Sequence, residues 1–352
     1  MNTTKASTTV NHPIQSRRPR SRLLIWGGRA LLGLLVALVI VAAGGAIYQA
    51  IATAQDARAY PLPGRLVDVG GYKMHIYCTG PANTGNPTVI LEGGLGATTS
   101  AWAWLQPEVA KTTLVCTYDR AGMGWSDPMP GAHDAQQIAT TLHTLLTNSG
   151  IAGPYVLAGW SYGGLYVRVF ADQYRNEVGG VVLVDSSHPD QCISTPAGEA
   201  QCKTSARIYA VAPFLARLGV MRAMAHFQPA SGLPEPQSEQ LLASFAASKD
   251  WAAQSAEYLA SPATNAQVRA TQELGDLPLF VISATEHGTP PDLEQLWQGW
   301  QQEMTSLSTN SIHQVIDGAS HTSLVFDVQD AQATIAAIQA VVAAARIGKP
   351  LR

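Results

Sequence analysis

Residues Pro154-Tyr155-Val156-Leu157-Ala158-Gly159-Trp160-Ser161-Tyr162-Gly163 run from a short apolar segment directly into a serine set between two glycines. The apolar half predicts a buried strand, and Leu165-Tyr166-Val167-Arg168-Val169-Phe170 behind it has large residues at helical spacing. A strand that becomes a helix over so few residues bends sharply enough to force Ser161 into a strained backbone conformation. Only hydrogen side chains at Gly159 and Gly163 leave room for the bend, and the hydroxyl is exposed at the top of a sheet. Because strand, elbow and helix occur together, Ser161 is predicted to be a nucleophile rather than part of an ordinary turn.

The surrounding chain repeats the alternation. Pro87-Thr88-Val89-Ile90-Leu91 is a continuous apolar run of the kind buried on both faces, and it leads into Glu92-Gly93-Gly94-Leu95-Gly96. Strands are predicted at 65–69 and 72–78 around the Gly70-Gly71 turn. A helix at 100–111, a strand at 113–118, a helix at 134–148 and the strand at 155–158 follow, then strands at 180–184, 279–283 and 313–316. A closing helix with Ile335, Ile338 and Val342 on one face starts at Asp327 or Asp330. Such alternation implies an α/β fold with right-handed crossovers and a mostly parallel sheet. Between 186 and 276 the pattern changes to loosely amphipathic helices carrying Tyr209, Phe214, Leu215, Leu218, Met221, Met224, Phe227, Leu241, Phe245, Trp251 and Tyr258. Most of these are expected to pack. A minority, with Trp102, Trp104 and Trp125, would make a cleft near the serine apolar and suited to an acyl or aryl group.

The N-terminus differs sharply in composition. Residues 1–22 carry Lys5, Arg17, Arg18, Arg20 and Arg22 and no acid, which predicts a basic cytoplasmic tail. No charge occurs between Arg29 and Asp56, and the run from Ala30 to Tyr48 is almost wholly apolar. About 20 apolar residues cross a hydrocarbon layer, so residues 23–52 are expected to form a single transmembrane helix. A cleaved signal peptide is the rival reading, but its apolar core is normally only about 7 to 15 residues long. Arginines ahead of the span orient it with the tail inside and everything after Asp56 outside. Residues 53–64, with Pro61 and Pro63, predict a linker. At 352 residues and a net charge of −3, the remainder can bury one large core and has no basic footprint for nucleic acid.

Four motifs in this order resemble the α/β-hydrolase superfamily: the glycine-rich loop at Glu92, the Tyr118-Asp119-Arg120-Ala121-Gly122 stretch, the elbow at Ser161, and Gly318-Ala319-Ser320-His321. The resemblance spans about residues 65–346. It implies an eight-stranded, mostly parallel sheet with one antiparallel strand, flanked by helices, and a helical lid inserted after the sixth strand. The core would comprise 65–186 and 277–352, and the lid 187–276. It also implies a serine esterase-like hydrolase, with acyl transfer, amide cleavage or a non-catalytic binding module as alternatives. Serine at the elbow argues against dehalogenase and epoxide-hydrolase chemistry, for which relatives use an aspartate.

A serine hydroxyl needs a base, and His321, late in the chain, satisfies the nucleophile, acid, histidine order. His12, His75, His133, His143 and His313 fall in tail, strand or helix positions, while His188, His226 and His287 are candidates for the pocket wall. The acid is expected to be Asp185, ending the apolar strand 180–184, with Glu286 in Ser283-Ala284-Thr285-Glu286-His287 as the alternative. Amides of Tyr162 and of Gly94 or Leu95 are expected to form the oxyanion hole. Glu92 replaces the histidine that often begins this loop, and Asp119-Arg120 is expected to hold the loop rather than react. The implied strand order places Cys78 beside Cys116, and Cys192 with Cys202 forms a second expected disulfide, fitting an oxidising compartment. No metal motif, phosphate loop or dinucleotide fingerprint is present, so no cofactor is expected.

Overall fold

The computed structural model describes every residue except 2, 11–19, 83–84, 229–230 and 352, with the side chains of 20–23 also left undescribed. Arg17 and Arg18 of the basic cluster therefore lie outside the described residues. The first helix, α1, runs without a break over Arg20–Ala59. Its segment from Leu24 is long and apolar enough to cross a membrane. The expected linker at 53–64 is corrected accordingly: no glycine or proline interrupts 53–59, so the helix continues to Ala59 and only 60–64 connect it to the sheet.

Eight strands follow: β1 Arg65–Asp68, β2 Lys73–Thr79, β3 Thr88–Glu92, β4 Val115–Tyr118, β5 Tyr155–Trp160, β6 Val178–Val184, β7 Leu279–Glu286 and β8 Ser311–Ser320. They form one sheet in the order β1-β2-β4-β3-β5-β6-β7-β8. Only β2 runs antiparallel, against β1 and β4. Cys78 and Cys116 are directly opposed in that β2/β4 register and are joined by a disulfide. Cys192 and Cys202 form the second disulfide.

The central strands β3 and β5 are buried along their whole length, as their unbroken apolar sequences require. Alternate side chains feed two cores. Ile90, Leu157 and Val281 face α3 (Ala135–Asn148) and α4 (Tyr162–Gln173) through Leu142, Leu145, Tyr166 and Phe170. Val89, Leu91, Val156 and Ile282 face the other way, onto a layer that includes the closing helix. Asp134 caps α3, its side chain accepting from the amide of Gln137.

The helix expected at 100–111 is instead a 3₁₀ turn, Thr99–Trp102, followed by the short α2, Leu105–Val109. Pro107 has no amide to donate and fits only a first turn, so the helix starts afresh just before it. Between β6 and β7 stand α5 Pro196–Arg217, α6 Val220–Ala225, α7 Gln237–Ala246, α8 Ser248–Leu259 and α9 Ser261–Arg269. A helix not anticipated from sequence, α10 Pro291–Met304, links β7 to β8. The chain closes with α11 Ser323–Phe326 and α12 Ala331–Ile347. Ile335, Ile338, Val341 and Val342 of α12 are buried in the second core.

Candidate active site

Ser161 sits between the C-terminal end of β5 and the first turn of α4, with φ 57° and ψ −124°. The left-handed φ is a strained conformation for a residue with a side chain. A Cβ on Gly159 would stand 2.6 Å from the carbonyl oxygen of Gly163, and one on Gly163 would stand 2.3 Å from that of Glu92. Both contacts are with backbone, so the two glycines are a steric requirement of the bend.

His321 follows β8 and is drawn to the elbow by the residue before the serine. The Trp160 indole Nε1 donates to the His321 carbonyl at 3.0 Å, and the two rings are 5.3 Å apart. The His321 Nδ1 lies 2.5 Å from Oδ2 of Asp185. Its Nε2 has no hydrogen-bond partner among the described residues.

Asp185 ends β6 with φ 43°, the other residue besides Ser161 with a side chain and positive φ among those described. Its carboxylate is fully buried and accepts from four directions. Beyond His321, the His287 Nε2 lies 2.8 Å from Oδ2, the Trp297 Nε1 donates to Oδ1 at 2.9 Å, and the Ala284 amide does so at 3.3 Å. Burial alone pushes this carboxyl up, but hydrogen bonds from His287 and His321 outweigh it and hold the group well below the usual carboxylate range. Glu286, the alternative acid, ends β7 exposed and makes no side-chain hydrogen bond or ion pair among the described residues. Asp185, not Glu286, is thus brought to His321.

His287 is committed on both sides. Its Nδ1 lies 2.9 Å from a carboxylate oxygen of Glu294, while its Nε2 meets Asp185. Burial lowers its pKa, but the bonds to Asp185 and Glu294 prevail and raise it. With no nitrogen left over, His287 cannot serve as a base toward Ser161. His321 can.

Gly94 lies directly against the elbow: a Cβ there would meet the Ser161 Cβ at 2.9 Å. The amides of Gly94 and Leu95 donate to no acceptor among the described residues, and the Tyr162 amide begins α4, where no intrahelical acceptor exists. Arg120 holds this loop. Its Nη1 donates to the carbonyl of Gly93 and its Nη2 to that of Gly94, both at 2.7 Å. The guanidinium is sandwiched between Glu92, 2.7 Å away, and Glu257 of α8, also 2.7 Å away. Burial works against its charge, but Glu257 and Glu92 raise its pKa well above the ordinary arginine value. Tyr118 donates its hydroxyl to Glu92. Asp119 is tied separately to His75 at 2.9 Å and to the amides of Thr99 and Trp125. Glu92, Asp119 and Arg120 are therefore occupied in shaping the loop.

A cavity of about 390 Å³ opens beside Trp160, Leu95 and Thr322 and is walled on the far side by Leu241, Phe245 and Trp251 from α7 and α8. Trp102 is buried in the core, Trp104 donates to the carbonyls of Gly232 and Phe326, and Trp125 lines a neighbouring cavity. Asp250 lies between the two cavities, and burial raises its pKa to about 6. Asp185, His287 and His321 have ligand atoms within 4.8 Å of one another. Both imidazoles point at the same carboxylate oxygen, which is the geometry of hydrogen bonds and not of nitrogens converging on an ion about 2 Å away.

Sequence reasoning missed Trp297, Glu294 and Glu257 and left His287 among the wall candidates. Pro291 followed by Leu293, Leu296, Trp297 and Trp300 at helical spacing marks α10 in the sequence and would have placed Trp297. Nothing local marks Glu257, which reaches Arg120 across 137 residues.

The model of the alpha/beta hydrolase family matches residues 89–337. An uncharacterised protein of Schizosaccharomyces pombe is 25% identical over 291 residues, which is 74% of this chain and 52% of that protein. The chain thus spans about half the length of that curated relative. Among solved structures, a thermophilic esterase from Thermogutta terrifontis superposes with a TM-score of 0.58 at 21% identity, over 80% of this chain and 98% of its own. The epoxide hydrolase CorEH does so with 0.60 at 17% identity, over 77% and 95%. At these identities the likeness is one of fold, shared by enzymes of different chemistry.

Proposed function

Because the chain belongs to the alpha/beta hydrolase family, we propose that it is a serine hydrolase cleaving a carboxylic ester with a small or medium apolar acyl or aryl group. One observation carries the reading. Ser161 stands strained at the elbow next to Trp160, whose indole holds the His321 carbonyl, while the His321 Nδ1 is fixed by the buried Asp185 and its Nε2 has no partner among the described residues.

In the proposed reaction Ser161 Oγ attacks the ester carbonyl while His321 Nε2 takes its proton. Asp185 keeps His321 in the tautomer with hydrogen on Nδ1 and offsets the positive charge that forms. The oxygen that becomes negative is received by the amides of Tyr162 and of Gly94 or Leu95, aided by the N-terminal dipole of α4. His321 returns the proton to the departing alcohol, leaving an acyl-serine. Water attacks in the second half-reaction, and the same groups release the acid. The walls supplied by Leu241, Phe245 and Trp251 favour an apolar group, and these helices of the β6/β7 insertion act as the lid.

The proposal includes the setting: α1 crosses a membrane once, with its N-terminus cytoplasmic and the hydrolase domain outside. The arginines ahead of the apolar run and the two disulfides support this orientation.

The test is fluorophosphonate labelling of the detergent-solubilised full chain, followed by peptide mass spectrometry. Modification at Ser161 that disappears in His321→Ala is the expected result. A folded protein that takes no label would overturn the hydrolase assignment.

A further inference from the structure

Between Gly45 and Asp56, α1 is fastened to the helices inserted after β6. A Cβ on Gly45 would stand 2.3 Å from the Leu218 carbonyl oxygen, so two backbones touch there. One turn further, Gln49 is only 3% exposed; it donates to the carbonyl of Ala246 at 2.8 Å and accepts from Arg222 Nε at 2.9 Å. Arg222 then pairs with Asp56 at 2.7 Å. The angle and height of the insertion are thereby set by the helix.

Depth follows from counting. About 20 residues fill the hydrocarbon layer, so a span that begins at Ala30, behind Arg29, ends near Gln49. Gly45 lies one turn before that end, roughly 6 Å within the layer at about 1.5 Å per residue. The α5/α6 junction at Leu218 touches α1 at that depth. Interfacial helices bury their apolar faces about 5–10 Å into the boundary between headgroups and acyl chains. The two depths agree.

The surface at this level suits lipid. Ile208, Val211 and Phe214 lie along one stripe of α5 and are 58%, 51% and 59% exposed, and Val220 at the start of α6 is also exposed. No acidic residue occurs from 200 to 234, and Arg207 and Arg217 are exposed around the apolar stripe, while Lys203 pairs with Glu199 at 2.6 Å. Apolar side chains ringed by cations match acyl chains below lipid phosphates.

We propose that the C-terminal part of α5 and the start of α6 are embedded in the outer headgroup and acyl boundary of the bilayer that α1 crosses. The insertion is then a second membrane contact, placed next to the cleft. This inference rests on the reading of α1 as a membrane span. The test therefore keeps the two apart.

The described cysteines are all in disulfides, so a single introduced cysteine carries the only thiol. The full chain is reconstituted in phosphatidylcholine vesicles containing phosphatidylserine, with an environment-sensitive fluorophore at Phe214→Cys, Val220→Cys, Val36→Cys or Val315→Cys. Val315 is exposed on β8, at the opposite sheet edge from β1. Lipids bearing a shallow nitroxide are expected to remove more than about half of the emission at 214 and 220, since those sites lie at interfacial depth, and to leave 315 unchanged. Quenching at 36 by lipids with the nitroxide deep in the acyl chain, with none at 214 or 220 by the shallow one, overturns the proposal and leaves the anchor standing. No quenching at 36 by the deep nitroxide overturns both. Blue-shifted emission at 214 without lipid quenching means that protein, such as a second copy of the chain, covers the stripe, and it also overturns the proposal.

Discussion

Asp185→Asn separates the two candidate acids and probes the proposed proton path. Oδ2 of Asp185 faces both the His321 Nδ1, at 2.5 Å, and the His287 Nε2, at 2.8 Å, while Oδ1 receives Trp297 and the Ala284 amide. An asparagine keeps the Oδ1 bonds only by turning its NH₂ toward the histidines. His321 Nδ1 must then accept, which puts the ring proton on Nε2, the nitrogen proposed to take the serine proton. A base held in the wrong tautomer loses about 10⁴ in kcat, or about 5 kcal/mol of barrier at about 1.4 kcal/mol per decade. KM should change little, because Asp185 is buried behind the histidine. The assay is hydrolysis of p-nitrophenyl acetate and butyrate, read beside the rate of fluorophosphonate labelling. Glu286→Gln, on an exposed side chain without a partner among the described residues, should stay within about twofold of wild type, as surface changes usually do. A folded Asp185→Asn that keeps more than a tenth of wild-type kcat, or a Glu286→Gln that loses most of it, would refute this reasoning.

Arg120→Met leaves Glu92 and Glu257 buried without a counter-charge and should destabilise the protein by about 3–5 kcal/mol in urea unfolding, with residual activity reduced further because the Gly93 and Gly94 carbonyls lose their donor. Gly163→Ala drives a methyl group into the Glu92 carbonyl and should give no folded protein by near-UV circular dichroism. His287, whose folded pKa is raised, contributes stability that is fully present below the unfolded value of about 6.5 and is lost as pH rises through the folded value. Replacement by Gln should therefore cost more stability at pH 6 than at pH 9, measured by denaturant midpoints. Asp250, raised to about 6 by burial, binds a proton more tightly folded than unfolded, so wild-type stability should fall from about pH 4 to pH 6. Asp250→Asn should remove that fall, which at about 1.4 kcal/mol per pH unit amounts to about 3 kcal/mol.

The parts of the fold legible in the sequence were those set by local rules. β3 and β5 announced themselves as unbroken apolar runs, and the elbow through two glycines that no other residue can replace. Asp185 was legible because it ends a strand, and strand ends in a parallel sheet converge on one edge. α10 was passed over, since its inward face also carries Glu294, Gln298 and Gln301, which hydrogen-bond His287, Ala284 and Ser186, so that the apolar spacing of Leu293, Leu296, Trp297 and Trp300 stands out less. A helix that buries polar groups leaves a weaker period in the sequence. α1 outran its expected end because charge and hydropathy mark where the apolar layer stops, whereas helical propensity continues through Thr53-Ala54-Gln55-Asp56-Ala57-Arg58. Glu92 and Arg120 were legible as residues but not as a pair, because Glu257 completes them from a distant helix.

That third member turns the insertion into a participant in the energetics of the loop. Glu257 belongs to α8, which also presents Trp251 to the cavity, whereas Arg120 and Glu92 belong to the sheet. Any excursion that lifts α8 takes one of two carboxylates from a buried guanidinium. The same guanidinium holds the Gly93 and Gly94 carbonyls, so opening the cleft and loosening the loop draw on one shared free energy. By reciprocity, whatever steadies the loop, such as the acyl group proposed at Ser161, would favour the closed position of α8 by the same amount. Under the proposed function, entry and chemistry would then be two readings of a single equilibrium.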